Sequence, residues 1–252
     1  MMVAGGLLAA AAAIAATSQI TSAAPIVAST ILPVQVMPAL FVLPRDAWGA
    51  DLPPKSAIQA ESVQFLLVHH TASSNTYPLA GARDVLRATY AWHTSPAKGW
   101  PDLCYEFFVD HDGVVWEGRA GALGGPVRAD ATGGSQGFAQ LVCLVGDFTS
   151  ADPTQAMIDS LIKVLAWLAI RYGIDTAPGA TTSFVSRGSQ RYASGVPVTT
   201  PTIAGHRDMS YTGCPGDQVY FHLDDLRTQV HAQRAAWQGA LFQAQRLGPT
   251  SP

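Results

Sequence analysis

The segment FLLVHHT, residues 65–71, decides the fold that this sequence predicts. It begins as a continuous apolar run and ends in polar residues, which is the pattern of a central strand buried on both faces. The carboxyl end of such a strand commonly opens into a cleft where function is located. Because side chains alternate along a strand, His69 and His70 are expected on opposite faces of the sheet. One of the two histidines can therefore serve a site in that cleft.

Segments on both sides of this strand alternate between strand and helix patterns. Apolar side chains recur at helical spacing in residues 84–94, and a second helix is predicted from Pro153, which suits a first turn, to a C-cap at Gly173. The pair Asp112–Gly113 fits a tight turn between two strands, and residues 139–148 contain another buried strand. This order predicts an α/β fold, with a central mixed β-sheet flanked by helices and a cleft at the strand ends.

The remaining segments surround one main domain, residues 44–235. Residues 25–43 carry prolines and no charges, and we interpret them as a linker or a strand leading into the domain. The Gly-, Ser- and Thr-rich residues 176–200 are predicted to be a surface loop. A last helix is predicted to run to about Gln245, so residues 236–252 contain its end and a GPTSP tail.

Residues 1–24 have the composition of an export signal. An apolar run from Met1 to Ala16 is followed by an alanine-rich segment that resembles a cleavage site near Ala23 or Ala24. No Lys or Arg precedes the run, so the usual positive charge is missing. The run is short for a membrane-spanning helix of about 20 residues. We therefore expect a secreted or cell-envelope protein without a stable membrane span.

Length and charge narrow the classes of function. The chain has 252 residues, of which 48% are hydrophobic, and this is enough for one full core. The formal net charge is −3, and Lys and Arg form no cluster. This composition argues against nucleic acid as a partner.

The segment GHRDMSYTGCPG, residues 205–216, carries the second chemical signal. His206 and Cys214 stand on a short polar segment, and an imidazole with a thiolate suits a borderline metal ion such as Zn²⁺. Two ligands do not make a site, and either His69 or His70 could supply a third. Spacing alone does not choose between them, and a single histidine is more often a hydrogen-bonded structural residue.

Five motifs make residues 44–226 resemble a known family. In sequence order they are RDAWGA (45–50), LLVHHTAS (66–73), WHTSPAKGWPDLCYEFFVDHDGVVWEGR (92–119), LVGDF (144–148) and GHRDMSYTGCPG (205–216). Together they resemble the zinc-dependent N-acetylmuramoyl-L-alanine amidases of the peptidoglycan recognition protein type. The resemblance implies a Zn²⁺ cofactor bound by His69, His206 and Cys214, in a cleft at the strand ends. It also implies an active-site tyrosine at Tyr105.

The implied ligand set makes chemical sense for a hydrolase. Two neutral imidazoles and one thiolate leave a fourth tetrahedral position for water, and zinc both lowers the pKa of bound water towards about 7 and polarises a carbonyl. Tyr105 is expected to donate a hydrogen bond to the developing oxyanion. Thr212 stands where related amidases carry lysine or threonine, and it is the second predicted catalytic residue. The proton donor to the leaving amine stays open between water, Tyr105 and His93.

Substrate contacts are predicted at His93 and Trp100. The family uses the segment that matches KGWPD in its groove, which favours Trp100 as a contact to the stem peptide. Ala131 departs from the family pattern, which has histidine there, and Cys143 stands where another branch places a glutamate. Glu106 is expected to face away from the site, as a supporting or surface residue.

Two expectations concern the surroundings of the site. Arg207 and Asp208 are expected to hold their loop by pairing with the backbone or with each other. Cys104 and Cys143 are expected to remain two buried thiols, although export would permit a disulfide. The reason is that strand alternation sends their side chains to opposite sides of the sheet.

Two functions follow from the resemblance. The first is hydrolysis of the amide between the lactyl group of N-acetylmuramic acid and L-alanine, by a monomer that acts on peptidoglycan. The second is a non-catalytic muropeptide-binding module of the same fold. Catalytically silent relatives generally lose the ligand cysteine, so the presence of Cys214 favours the enzyme. Ligands alone do not exclude a third class, a zinc peptidase that cuts within the stem peptide.

Overall fold

The computed structural model describes residues 31–77, 81–133 and 137–247, and the predicted export signal and the GPTSP tail lie outside them. The described strands are β1 (Val34–Met37), β2 (Leu40–Leu43), β3 (Phe65–His70), β4 (Phe107–Val109), β5 (Val115–Glu117), β6 (Ala139–Leu144), β7 (Thr181–Val185), β8 (Pro197–Pro201) and β9 (Ile203–Gly205). The described helices are α1 (Asp46–Gly49), α2 (Gly81–His93), α3 (Gln155–Tyr172), α4 (His206–Met209), α5 (Asp217–Tyr220) and α6 (Leu223–Leu247).

Seven of these strands form one mixed sheet in the order β1-β2-β5-β4-β6-β3-β9. Within it, β3 pairs in parallel with both β6 and β9. The hairpin of β4 and β5 turns at the predicted pair Asp112–Gly113, where Gly113 has a φ of 79°, a conformation that glycine adopts without steric cost. The predicted α/β fold with a central mixed sheet is confirmed.

The central strand β3 separates two cores, as its sequence predicts. All six of its residues are buried. Leu66 and Val68 belong to the core that includes α3 and α6, whereas Phe65 and Leu67 belong to a core on the opposite face. Because the side chains alternate, the two histidines that end the strand also divide between these faces.

The sheet begins earlier than the predicted domain start at Pro44. Strand β2 pairs in parallel with β5, with Val42 opposite Val115, and β1 pairs with β2. Leu40 and Val42 are buried in the core because alternate side chains of this apolar strand face α3. Residues 34–43 are therefore two strands of the sheet and not a linker, although the sequence left a leading strand open.

The prediction of a surface loop at residues 176–200 is wrong. Strands β7 and β8 pair antiparallel, with Phe184 opposite Val198, and both of these side chains are buried. The Phe184 ring stacks on Phe65 with 5.6 Å between the centroids. The threonine and valine residues around Phe184 favour a strand, and burial against β3 stabilises the hairpin where a loop was expected.

The helices confirm most of the predicted boundaries. Helix α3 is capped by Thr154, whose Oγ1 accepts a hydrogen bond from the Met157 N–H at 3.2 Å, so Pro153 precedes the helix instead of opening it. Gly173 ends the helix as predicted, with a φ of 68°. Helix α6 crosses the predicted domain end at residue 235 and buries Trp237 in the core. No helix of the described part is long and apolar enough to cross a membrane.

Candidate metal centre

Two parallel strands deliver His69 and His206 to the same place. Strand β9 runs beside β3 with Gly205 opposite Val68, so the residues that follow this pair also lie side by side. His69 is fully buried near the end of β3, and His206 is the first residue of α4. The centroids of the two imidazole rings are 4.3 Å apart.

Cys214 completes this cluster from the loop that follows α4. Its Sγ lies 3.5 Å from Nδ1 of His69 and accepts a hydrogen bond from the His70 N–H at 3.3 Å. One potential ligand atom from each of His69, His206 and Cys214 lies within 4.8 Å of the others. The structure therefore brings together the three residues that the sequence predicted as ligands.

The chemical state of the cluster suits a metal ion. Burial lowers the pKa of His69 well below its usual value and that of His206 to about 4, so both imidazoles are neutral, which is the form that binds metals. Nε2 of His69 is buried without a hydrogen-bond partner in the described part of the chain, and a buried polar atom of this kind requires one. Burial raises the pKa of Cys214 to about 12, so metal binding would release the thiol proton. Two nitrogens and one sulfur fit a borderline ion such as zinc.

His70 lies on the other side of the strand and has a different environment. Its Nδ1 accepts a hydrogen bond from the Phe148 N–H at 3.2 Å, and its ring lies 6.3 Å from the Phe148 ring between centroids. Its ring is absent from the cluster of ligand atoms found in the described residues. Its contacts to the cluster run through the backbone, since its N–H donates to Sγ of Cys214 at 3.3 Å and its carbonyl lies 3.8 Å from that sulfur.

Hydrogen bonds fix the loop that carries the cysteine. Arg207 pairs with Asp217 at 2.8 Å and also donates to the carbonyl of Gly213. Asp208 accepts hydrogen bonds from the Gly205 N–H at 2.8 Å and from the Tyr220 hydroxyl at 2.6 Å. Arg207 and Asp208 thus hold the loop as predicted, through the backbone and other side chains and not through each other.

Thr212 is part of the same loop. Its Oγ1 accepts a hydrogen bond from the Cys214 N–H at 3.2 Å. This bond constrains the backbone of the cysteine, so Thr212 acts on the site through Cys214 in this structure. Its predicted catalytic role stays a prediction.

Tyr105 lies beside the cluster, in the segment just before β4. The centroid of its ring is 4.9 Å from that of His69. Removal from water raises the pKa of Tyr105 well above its usual value, so the hydroxyl stays protonated and can act as a hydrogen-bond donor. The structure therefore places the predicted active-site tyrosine against a predicted ligand.

His93 and Trp100 continue the row of rings away from Tyr105. The ring of His93 lies 5.7 Å from Tyr105 and 4.8 Å from Trp100, between centroids. Both ring nitrogens of His93 are near Cys104, because Nδ1 accepts from its N–H at 3.3 Å and Nε2 lies 3.7 Å from its Sγ. His93 is buried and packs against these two rings, and its predicted substrate contact stays a prediction. Trp100, in contrast, borders an open groove.

That groove begins at His206 and has a volume of about 480 Å³. It is lined by Trp100, Arg128, Ala129, Asp130, Ala131, Gly133, Gln190, His206 and Ser210. Ala131, which stands where the family pattern has histidine, contributes only a small side chain to this lining. The groove therefore offers one aromatic wall and several polar groups beside the cluster.

The sequence around this cluster matches a known protein family. Residues 59–217 match the family Amidase_2, described as N-acetylmuramoyl-L-alanine amidase. The chain belongs to this amidase family. The matched range contains all three residues of the cluster, together with Tyr105 and Trp100.

Individual relatives of the amidase family agree with this assignment. Human N-acetylmuramoyl-L-alanine amidase is 30% identical over 196 residues, which are 75% of this chain but only 28% of the human protein. Mouse peptidoglycan recognition protein 1 is 26% identical over 181 residues, covering 71% of this chain and 84% of its own length. The fold is similar to that of Drosophila PGRP-LB, with a TM-score of 0.55 and 22% identity over 72% of this chain and 91% of that chain. It also resembles the amidase LysC from Clostridium intestinale, with a TM-score of 0.53 and 16% identity over 75% and 96% of the two chains.

Cys104 and Cys143 form no disulfide with each other. Cys143 on β6 is directly opposite His69 in the sheet register. All three cysteines of the chain lie in the described part, and all are buried and free. The expectation of two buried thiols at Cys104 and Cys143 is confirmed. The reason given for this expectation is wrong, because Cys143 lies on the same face of β6 as Leu141, which shares a core with Cys104. Cys104 precedes β4, so strand alternation does not apply to it.

Glu106 agrees with the supporting alternative of its prediction and not with the surface alternative, because it is fully buried. Its Oε2 accepts a hydrogen bond from the Leu141 N–H at 2.7 Å, and burial raises its pKa to about 8. The carboxyl group extends the pairing of β4 with β6 by one hydrogen bond. Glu106 thus has a structural position, and its surface alternative is wrong.

The sequence missed the residues that the β7–β8 hairpin contributes to the groove. Gln190 lines it, and Arg191 donates to the carbonyl of Arg207. The hairpin was predicted as a loop, although alternating β-branched residues in 181–185 and 197–201 could have indicated two strands. No sequence signal places the tip of the hairpin over the cysteine loop, since that contact is tertiary.

Proposed function

We propose that this chain is a zinc-dependent peptidoglycan hydrolase that cleaves the amide between N-acetylmuramic acid and L-alanine of the stem peptide. The observation that carries the proposal is the cluster of His69, His206 and Cys214 with Tyr105 at its side. Membership of the amidase family supports the class of bond. The open groove beside His206 supports a substrate larger than a single sugar or amino acid.

His69, His206 and Cys214 would hold the zinc ion, which supplies an activated water and a polarised carbonyl when it is bound. Tyr105 acts on the same carbonyl. Because its hydroxyl is protonated, it can donate a hydrogen bond to the oxygen as negative charge develops. One donor of this kind contributes about 3 kcal/mol to transition-state stabilisation.

His93, Trp100 and Thr212 have supporting roles around the zinc ligands and Tyr105. His93 packs against both Tyr105 and Trp100 and keeps the tyrosine ring in place. Trp100 provides an apolar wall for the stem peptide in the groove. Thr212 restrains Cys214 through its backbone N–H. Water or Tyr105 remains available to protonate the leaving amine, since both ring nitrogens of His93 are near Cys104.

The second function is recognition of peptidoglycan without cleavage. Several relatives are named peptidoglycan recognition proteins, and one solved neighbour with 20% identity is described as bound to tracheal cytotoxin, a monomeric peptidoglycan fragment. These names support peptidoglycan as the partner under either function. The intact cluster, and Cys214 in particular, favours the hydrolase.

We further propose that the chain acts as a monomer outside the cytoplasm, because its substrate lies in the cell wall. The support is the export-like composition of residues 1–24. N-terminal sequencing of protein from the native host should find a mature chain that begins near Ala24 or Pro25. An uncut cytoplasmic chain would contradict this proposal.

Mass spectrometry of digested muropeptides tests the proposed hydrolase. Purified protein with zinc should release free stem peptides and leave intact N-acetylmuramic acid on the glycan. Cys214→Ala should release none, whereas His222→Ala, which changes an exposed histidine outside the cluster, should cleave like the wild type. Binding without release would favour the recognition protein, and fragments cut within the stem peptide would favour the zinc peptidase.

A further inference from the structure

The β7–β8 hairpin reaches across to the loop that carries the predicted cysteine ligand. Its connecting segment, residues 186–196, makes two contacts there. The Ser210 hydroxyl donates to Oε1 of Gln190 at 2.8 Å, and Nη1 of Arg191 donates to the carbonyl of Arg207 at 2.5 Å. The hairpin is therefore attached to the metal centre and does not extend freely into solvent.

The base of the hairpin is as firmly held as its tip. Phe184 lies between Phe65, at 5.6 Å, and Phe138, at 5.2 Å between centroids. On the other side, Arg187 pairs with Glu61 at 2.9 Å. Packed aromatic rings and a paired charge restrict the movement of the segment between them. Gln190 is thus presented at a defined position.

That position is in the wall of the groove that begins at His206. Gln190 and Ser210 both line this groove, and Trp100 lines it too. The bond from Ser210 uses the oxygen of the Gln190 amide. Within the described part of the chain, the amide nitrogen of Gln190 has no acceptor, so its two N–H groups can bind a carbonyl oxygen in the groove.

We propose that Gln190 is a substrate-binding residue that donates a hydrogen bond to a carbonyl of the stem peptide, with Ser210 fixing its orientation. A peptide offers a carbonyl at every residue, which matches a donor held at one point of an elongated groove. The lining also carries a guanidinium at Arg128 and a carboxylate at Asp130. Asp130 also pairs with Arg119 at 2.7 Å, so polar and charged groups stand opposite the apolar wall of Trp100 in this groove. This inference rests on the proposed function, since it assigns part of the same substrate.

The substitution Gln190→Glu isolates the proposed contact. The carboxylate keeps an oxygen for the Ser210 hydroxyl but removes the N–H donors, so the hairpin should stay in place. Because active protein would cleave the second ligand, zinc-loaded protein with and without the substitution is compared in a Tyr105→Phe background. Each is titrated calorimetrically with a free stem tripeptide and with the same peptide attached to N-acetylmuramic acid. We expect both dissociation constants to rise about fivefold to tenfold, with an unchanged melting temperature. Turnover of the muropeptide should show a similar rise in KM at an unchanged kcat.

Gln229→Ala is the matched control, because Gln229 is an exposed glutamine that lines cavities on α6 sharing no residue with the groove. It should leave both affinities unchanged. Equal affinity of Gln190→Glu and the wild type would overturn the inference. It would also be overturned if only the sugar-bearing ligand bound more weakly, since that result would place Gln190 at the glycan. A wild type that binds the tripeptide through Gln190 but cleaves nothing would contradict the hydrolase and leave this inference standing.

Discussion

His69 and His70 are adjacent in sequence and both buried, yet they belong to two different regions of the molecule. His69 faces the cleft, where the other predicted ligands converge and its Nε2 has no partner among the described residues. His70 faces the side of α3, where its ring nitrogen accepts a backbone hydrogen bond from Phe148. Burial lowers the pKa of both. Burial and charge state are therefore similar for the two histidines. The groups around their ring nitrogens are what distinguishes them.

The two faces of the sheet therefore differ in the kind of side chains that they carry. The face of α3 and α6 carries a large apolar core that stabilises the domain. The cleft face carries imidazoles, a thiol and a tyrosine, and among the described residues Nε2 of His69 is buried there without a hydrogen-bond partner. Such atoms cost stability unless a ligand completes them. The predictions below test whether this difference between the faces is functional.

Removal of a ligand from the cleft face should have the largest effect. We expect Cys214→Ala and His69→Ala to lose bound zinc and all measurable amidase activity, because two remaining ligands hold the ion poorly. His70→Ala should keep about one equivalent of zinc, since its ring is not in the cluster. Metal analysis of the purified variants measures this. Loss of zinc in His70→Ala alone would reverse the assignment of the two faces.

Removal of the tyrosine hydroxyl should have the next largest effect. Tyr105→Phe should lower kcat by on the order of a hundredfold, because one oxyanion donor is lost. Zinc content and muropeptide affinity should be unchanged, since the hydroxyl acts when charge develops in the transition state. Steady-state kinetics and calorimetry separate the two effects. Unchanged turnover would remove Tyr105 from the mechanism.

A pH dependence of stability should follow from the buried His93. Burial lowers its pKa from 6.5 to about 4, so between these values the unfolded chain binds a proton that the folded chain does not. Stability is therefore complete above pH 6.5 and falls as the pH drops towards 4, by on the order of 3 kcal/mol from this residue. Denaturant unfolding of the wild type and of His93→Gln at several pH values measures the difference. Parallel pH profiles would contradict it.

The smallest effect is expected at Thr212. Thr212→Val removes the acceptor for the Cys214 N–H, and the loss of one hydrogen bond costs about 1 kcal/mol. Zinc affinity in a chelator competition should thus fall several-fold, whereas Thr212→Ser, which keeps the oxygen, should match the wild type. A fall in kcat at unchanged zinc affinity would instead support a direct catalytic role for Thr212.

The site could be predicted from sequence to the extent that its signals are local. Strand alternation separated His69 from His70, and the turn pair Asp112–Gly113 marked the hairpin, because both follow from backbone geometry over a few residues. The choice of His69 as ligand came from the family resemblance. Only the structure shows it beside His206 and Cys214.

The remaining features depend on contacts between distant segments. The β7–β8 hairpin is a strand pair because Phe184 packs on Phe65, and no local pattern in a Gly-, Ser- and Thr-rich segment reports that partner. The position of Glu106 also depends on a distant segment, because its carboxyl group accepts a hydrogen bond from Leu141 on β6. For the same reason, the place of Gln190 in the groove was not predictable from sequence.

The central claim is that the face of His69, and not that of His70, binds zinc. Anomalous X-ray diffraction at the zinc absorption edge tests it most directly, with crystals of the wild-type protein grown with zinc. We predict one strong anomalous peak in the cleft, within about 2.0–2.4 Å of one nitrogen each from His69 and His206 and of Sγ of Cys214. The ring of His70 should keep its hydrogen bond to Phe148. A peak bound by His70, or crystals without a peak at the three cleft residues, would contradict the account.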